Sequence, residues 1–140
     1  LLAIIAQSKN TIAVGGTSGK STTSAMLFDM LTYGGLSPSI ISGAGLTSII
    51  KEGKLGNAKV GNGEWLIIEA DESDGSIVQY HATIGLLLNV DKDHKDITAL
   101  MELFTTFRNN STTFCVNQSH SLAAELSTNV KNDFAIHPTS

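Results

Sequence analysis

Glycine, lysine and hydroxyl residues form a run at positions 15–22, where a β-branched apolar stretch gives way to good helix formers. Between a strand and a helix, backbone N–H groups and the helix dipole together hold phosphate oxygens. Glycines let a pyrophosphate approach the backbone, Lys20 can reach the β and γ phosphates, and the Ser21 hydroxyl can bind Mg²⁺. The run lacks the usual first glycine of such loops, because Val14 stands there. It predicts a phosphate site, and a plain glycine turn capping a helix is the alternative.

Acidic residues are concentrated in one part of the chain. Seven of the thirteen lie between Glu69 and Asp96, as a first group at 69, 71, 72 and 74 and a second at 91, 93 and 96. Like charges repel and raise one another's pKa, so a fold tolerates them most readily where a cation neutralises them. A divalent metal is the natural candidate.

Two residues of these acidic segments are the best metal ligands. Glu69 ends an apolar run, as a carboxylate that holds Mg²⁺ beside a phosphate would, and His94 could add a second ligand. A solvated loop rim is the alternative for the acids, and it is the favoured interpretation for Glu72, Asp74 and Asp91. For His94 the alternative is a helix cap.

Strands must position these residues. The apolar and β-branched runs predict strands at 11–14, 39–42, 65–70, 82–89 and 113–117, with a further short strand at 133–137. Helices are predicted at 20–33, 97–107 and 119–126, after a helix tail at 1–5, while 43–63 is expected to be a loop or weak hairpin. Alternating strands and helices predict an α/β fold with a layered, mostly parallel sheet and flanking helices. The loops after residues 14, 70 and 89 would then meet at one carboxyl edge.

Several side chains are assigned to the core or the surface by the same patterns. The core is expected to include Met26, Leu27, Met30 and Leu31 of the first helix and Met101, Phe104 and Phe107 of the second. His81, His120 and His137 are expected to be surface or capping residues without catalytic partners.

Composition excludes several classes of protein. The chain has 140 residues, which corresponds to one domain, and its single cysteine, Cys115, excludes an internal disulfide framework. A net charge of −4 without a basic stripe argues against nucleic acid as a partner. The longest nearly apolar stretch, 82–90, is too short to span a membrane, so we expect a cytoplasmic domain. The opening Leu1-Leu2 is typical of the middle of a helix, which predicts that the chain is a piece of a longer protein.

The strings GGTSGKSTT, EADESD and NVDKDHKD, in this order, resemble the central ATP-binding domain of the Mur ligases, which build the peptide of bacterial cell-wall precursors. The family loop reads GTxGK followed by two hydroxyl residues, which accounts for the missing first glycine. The EADESD string is most similar to members that add L-alanine to UDP-N-acetylmuramate, whereas tripeptide-recycling members carry tyrosine at the position of Ser73. Alanine-adding members carry histidine and threonine at the positions of Ser18 and Ser21.

The resemblance implies a P-loop NTPase-like fold and ATP-dependent amide-bond formation through an acyl phosphate. It places the ATP phosphates on Gly16, Thr17, Ser18, Gly19, Lys20, Ser21 and Thr22. It gives catalytic roles to Lys20, Glu69 and His94, and Mg²⁺ to Ser21, Glu69 and His94. Asn89 and Asp93 would contact substrate or support these ligands.

The resemblance also implies that residues 1–140 are the central domain alone, without the N-terminal domain that binds the UDP-sugar or the C-terminal domain that receives the amino acid. The isolated chain is therefore expected to bind nucleotide weakly, if at all, and not to ligate. A related recycling ligase, a generic P-loop ATPase or kinase, and a non-catalytic α/β module are the alternatives. A requirement for His94 distinguishes the ligase from the ATPase.

Overall fold

The computed structural model describes residues 10–41, 58–73, 75–91 and 96–135. The strands are β1 (Asn10–Gly15), β2 (Ser39–Ile41), β3 (Ala58–Lys59), β4 (Trp65–Glu69), β5 (Ile84–Leu87) and β6 (Thr113–Val116). The α-helices are α1 (Lys20–Tyr33), α2 (Ile97–Asn110) and α3 (Ser121–Ala124), and two short 3₁₀ helices span Ser76–Gln79 and Val130–Asn132. No helix among the described residues is long and apolar enough to cross a membrane.

One sheet joins the six strands in the order β3-β2-β4-β1-β5-β6. The four strand pairs β2–β4, β4–β1, β1–β5 and β5–β6 are parallel. The two-residue edge strand β3 runs antiparallel to β2. The predicted α/β class with a mostly parallel sheet is therefore confirmed. β1 lies between β4 and β5, so the loops that follow these three strands leave the same edge next to one another.

The core has two layers because successive side chains of a strand point to opposite faces of the sheet. On one face, Ala13 of β1 belongs to a cluster with Phe104 and Phe107 of α2. On the other face, Ile12 and Val14 pack in a second cluster that includes partly buried residues of α1. Helices thus cover both faces of the sheet, as its apolar strands require.

The orientation of α1 differs from the sequence expectation. Met26 and Met30 are 59% and 66% exposed, whereas Leu27 and Leu31 pack on the sheet, as predicted. The helix has apolar residues on more than one side, so its pattern does not specify a single buried face. The face that packs on the sheet includes Ser24, Leu27, Phe28 and Leu31, which recur at helical spacing.

Other element predictions are confirmed with different bounds, since β1 and α2 are longer than predicted and several other elements are shorter. Gly34 and Gly35 end α1, and the amide of Gly34 donates to the carbonyl of Met30. The predicted helix at 119–126 reduces to the four residues of α3, and the last strand reduces to one parallel bridge between Asn117 and Phe134. The predicted helix tail at 1–5 lies outside the described residues, as does most of the predicted loop at 43–63.

Candidate functional site

The loop between β1 and α1 brings backbone amides to the carboxyl edge of the sheet. Gly16 and Gly19 have φ angles of 142° and 86°, in the region where glycine avoids the strain of a side chain. A Cβ on Gly16 would lie 3.2 Å from the Leu88 Cβ and 3.3 Å from the amide nitrogen of Asn89. The loop therefore needs glycine at this position to approach the segment after β5.

The first turn of α1 is left open for an anion. Gly19 is the N-cap residue, and no side chain caps this helix end. The first amides of a helix have no acceptor within the helix, and the helix dipole adds partial positive charge there. Lys20, Ser21 and Thr22 are the first three residues of α1, so their N–H groups have the arrangement that binds phosphate.

Lys20 bends back over the loop. Its ammonium nitrogen lies 2.7 Å from the carbonyl oxygen of Gly16 and 3.2 Å from Oε2 of Glu72. The lysine side chain is only partly exposed, at 18%. The positive charge is thereby fixed over the loop that the sequence predicts to bind phosphates.

Ser21 and Glu69 meet although they are far apart in sequence. The Ser21 hydroxyl donates to Oε1 of Glu69 over 2.7 Å, and Glu69 is 7% exposed at the end of β4. A hydroxyl and a carboxylate side by side offer hard oxygen ligands of the kind that Mg²⁺ prefers. The donor chemistry of this pair therefore fits Mg²⁺ next to a bound phosphate.

Asn89 ties the phosphate loop to the segment after β5. Its Oδ1 accepts from the Thr17 amide at 3.0 Å, from the Thr17 hydroxyl at 2.8 Å and from the Ser18 amide at 3.1 Å. Its Nδ2 donates to the Ser18 carbonyl over 2.9 Å. Asn89 thus holds the loop that the sequence assigns to phosphate binding, and it engages Thr17 and Ser18 through their amides.

The predicted site residues are brought together where the structure describes them. The loop residues 16–22, Glu69 and Asn89 all lie at the carboxyl ends of the three adjacent strands β4, β1 and β5. His94 and Asp93 lie outside the described residues. Within the described ranges, no group of three or more His, Cys, Asp or Glu side chains forms a metal site.

Glu72 is a site residue that sequence reasoning assigned to a solvated rim. It is 9% exposed and contacts the Lys20 ammonium. The sequence signal for Glu72 was its position three residues after Glu69. No recognisable sequence pattern, however, encodes the turn that brings Glu72 back to Lys20. The expectation fails because a nearby lysine compensates the burial of this carboxylate.

His120 is the N-cap residue of α3, a position that the sequence expectation allowed, but it also has a side-chain partner. The sequence offered no partner for it, yet its Nε2 lies 3.3 Å from Oδ1 of Asp91, while its Nδ1 is buried without a hydrogen bond. The Asp91 amide in turn donates to the Thr17 hydroxyl over 3.1 Å. The start of α3 is thereby linked to the phosphate loop through residues remote in sequence.

The arrangement can bind a polyphosphate and a divalent cation. It combines one ammonium group, open helix amides and a hydroxyl–carboxylate pair on neighbouring parallel strands. Such groups position phosphates and stabilise the charge that develops during phosphoryl transfer.

Comparisons with known proteins find related sequences, although no protein-family model matches the chain. The chain is 39% identical over 132 residues to a UDP-N-acetylmuramate–L-alanine ligase of Synechococcus sp. (strain RCC307), covering 91% of this chain and 26% of the relative. It is 41% identical over 113 residues to a protein of the same name from Geotalea uraniireducens, covering 78% and 24%. The chain thus spans about a quarter of the length of these curated relatives.

Solved structures share the fold. The UDP-N-acetylmuramate–alanine ligase MurC of Thermotoga maritima superposes with a TM-score of 0.76 at 24% identity, covering 96% of this chain and 31% of that chain. The MurF ligase of Thermotoga maritima in complex with ADP gives a TM-score of 0.64 at 22% identity, covering 92% and 32%.

Proposed function

Over most of its length the chain is homologous to the Mur ligases, and on this premise we propose that it supplies the ATP and Mg²⁺ site of a cytoplasmic peptidoglycan-precursor ligase. The reaction is the ATP-dependent addition of an amino acid, L-alanine, to UDP-N-acetylmuramate. Residues 1–140 correspond in this proposal to the central domain of that enzyme, and the UDP-sugar and the amino acid are held by other parts of the parent protein.

The contact between Ser21 and Glu69 is the observation that carries this proposal. It joins the start of α1 to the end of β4 over 2.7 Å, beside an ammonium group and helix amides. A glycine turn that served only to cap a helix needs neither a carboxylate nor a lysine at that place. The contact therefore supports a site for a phosphate together with its metal.

Each site residue predicted from the sequence has a defined task in the proposal. The loop from Gly16 to Thr22 would surround the phosphates, with the amides at the start of α1 donating to phosphate oxygens while those of Thr17 and Ser18 stay bonded to Asn89. Lys20 would neutralise the transferring phosphoryl group. Ser21 and Glu69 would hold the first Mg²⁺, and His94 with Glu69 would hold a second metal, which would screen the negative charge of the acceptor carboxylate. Asn89 and Asp93 support the loop or contact substrate.

ATP would transfer its γ-phosphoryl group to the substrate carboxylate and leave as ADP. An amine would then attack the resulting acyl phosphate, which forms the amide and releases phosphate. The contribution of the chain is positioning and electrostatic, because two anions that approach each other need their charge screened. Lys20 and the two metal ligands Ser21 and Glu69 lie within one hydrogen-bonded loop system, which supports this role.

Thermal unfolding tests the phosphate site. We expect Mg²⁺ with a non-hydrolysable ATP analogue to raise the stability of a protein that contains the whole nucleotide site, by about 2.7 kcal/mol at a concentration near one hundred times Kd. The 140-residue chain is measured first, and a longer protein that contains it is measured where the chain alone binds too weakly. Lys20→Ala and Ser21→Ala should remove the effect, because each takes away a group that contacts phosphate or metal. Lys131→Ala is the control, since Lys131 is exposed in the second 3₁₀ helix.

Two outcomes contradict the proposal. One is a shift that survives unchanged in Lys20→Ala, which would place the nucleotide elsewhere. The other is the lack of any shift both in this chain and in a longer protein that contains it.

A further inference from the structure

Glu72 has no task in the proposed function, although the structure buries it at the centre of the site. Its Oε2 lies 3.2 Å from the Lys20 ammonium, and the side chains of the two residues are 11% and 18% exposed. The pair joins the acidic loop after β4 to the loop after β1, in parallel with the contact between Glu69 and Ser21.

A buried carboxylate is costly unless a positive charge compensates it. Lys20 provides that charge, and it also donates to the Gly16 carbonyl over 2.7 Å. A lysine ammonium has three donors, and the Gly16 carbonyl and Glu72 already take two of them. A phosphate that takes more than the remaining donor therefore competes with the carboxylate for Lys20. The phosphate and the carboxylate also repel each other.

We propose that Glu72 is an exchange partner of Lys20: its carboxylate holds the ammonium in position over the loop and gives way to a phosphate oxygen when nucleotide binds. This inference rests on the proposed function, because it assumes that Lys20 binds phosphate. It makes Glu72 a positioning residue that sets the affinity and the anion selectivity of the site. Binding of a phosphate must overcome the contact, so the apparent affinity is the intrinsic affinity multiplied by the fraction of molecules in which the contact is broken.

The variant Glu72→Gln tests the exchange. It keeps the size of the side chain and removes the charge that competes for Lys20. We expect it to bind tripolyphosphate in the absence of Mg²⁺ about three- to tenfold more tightly than the unaltered chain, measured by isothermal titration calorimetry.

Asp71→Asn is the matched control. Asp71 lies next to Glu72 and its carboxylate accepts from the amide and hydroxyl of Ser73, so the variant removes one negative charge from the same loop. Its effect measures the general loss of repulsion. The gain in Glu72→Gln must exceed it, because Glu72 contacts the ammonium directly.

A purely structural role for Glu72 would lower the stability of the chain without tightening anion binding. Unfolding in urea of Lys20→Met, Glu72→Gln and the double variant, without ligand, measures the contact itself. We expect the double variant to lose less stability than the sum of the single variants.

The exchange is overturned if Glu72→Gln binds tripolyphosphate no more tightly than Asp71→Asn, including the case in which neither binds. It is also overturned if Glu72→Gln weakens only Mg²⁺-dependent binding, which would make Glu72 a metal ligand. The proposed function fails separately, when the Mg²⁺-bound ATP analogue does not bind to the unaltered sequence in any length of protein.

Discussion

Asn89 shows how a single side chain can determine the shape of a binding loop. Its carboxamide makes four hydrogen bonds to Thr17 and Ser18, which lie in the loop after the neighbouring strand β1. The loop contains two glycines with positive φ, whose flexibility would otherwise give it many conformations. Asn89 therefore fixes the loop that leads into the first turn of α1, whose amides the proposal assigns to phosphate.

Asn89→Ala is expected to destabilise the chain by about 1–3 kcal/mol, because several hydrogen bonds of modest net strength are lost and loop amides are left without an acceptor. Urea unfolding measures the change. Asn62→Ala is the control, since Asn62 is exposed and its recorded hydrogen bond uses its backbone amide. A loss no larger than that of Asn62→Ala would show that the loop keeps its shape without the carboxamide.

At the scale of elements, the packing of α2 against β1 explains why residue 15 is glycine. A Cβ at Gly15 would lie 2.9 Å from the Phe107 ring, which is fully buried and packs edge-on against Phe114 with ring centroids 5.5 Å apart. The last residue of β1 is therefore constrained by the helix behind it as well as by the phosphate loop in front.

Gly15→Ala is expected to cost about 1–3 kcal/mol of stability through overpacking. Phe107→Leu should also destabilise the chain, because it removes buried aromatic contacts. The double variant should lose less than the sum of the two, since the smaller side chain makes room for the new methyl group. Additive losses in urea unfolding would contradict this account of Gly15.

Asp133, near the end of the described residues, forms hydrogen bonds with β6 and the segment after it. Its carboxylate accepts from the Val116 amide at 3.0 Å and from the Gln118 side chain at 2.7 Å, and Ser127 also donates to it. Burial disfavours the charge, but the hydrogen bonds from Ser127, Val116 and Gln118 outweigh it and lower the pKa of Asp133 below 3.8. Burial, with a further contribution from this charge, raises the pKa of the Cys115 thiol.

Asp133 should therefore make stability depend on pH in the acid range. A carboxylate with a lowered pKa contributes stability above its unfolded-state value, and this contribution is lost as the pH falls through the folded-state value. Asp133→Asn should be less stable than the unaltered chain at pH 7, and the difference should shrink as the pH falls below 3.8. Asp29→Asn, on the exposed side of α1, is the control, and an equal pH dependence in both variants would contradict the assignment.

For the whole molecule, the sheet order decides which loops can work together. Because β1 lies between β4 and β5, the phosphate loop meets Glu69 and Glu72 on one side and Asn89 on the other. The site is assembled from three segments separated by about fifty and seventy residues, as the contacts of Ser21 and Thr17 show. It thus depends on the folded sheet as a unit.

The chain spans about a quarter of the length of its curated relatives. We expect the 140-residue chain not to form an amide bond from UDP-N-acetylmuramate, L-alanine and ATP, since in the proposal other parts of the parent protein hold the UDP-sugar and the amino acid. Product formation measured by chromatography checks this, with a longer protein containing the chain as the positive control. Detectable product from the chain alone would overturn the expectation.

The sequence by itself determined the main strands, the two long helices and the glycine loop between β1 and α1, because these depend on periodicity and on residues adjacent in the chain. Lys20 and Ser21 follow a strand and glycines directly, so local pattern was enough to identify them. Glu69 could be predicted for a similar reason, as the polar end of a buried parallel strand.

Only the tertiary structure decided which side chains meet across the site. The contact of Glu72 with Lys20 and that of His120 with Asp91 depend on strand order and on the path of the loops, which no spacing in the sequence encodes. The exposure of Met26 and Met30 is of the same kind, because a helix with apolar residues on several sides acquires an inner face only when it packs on a sheet.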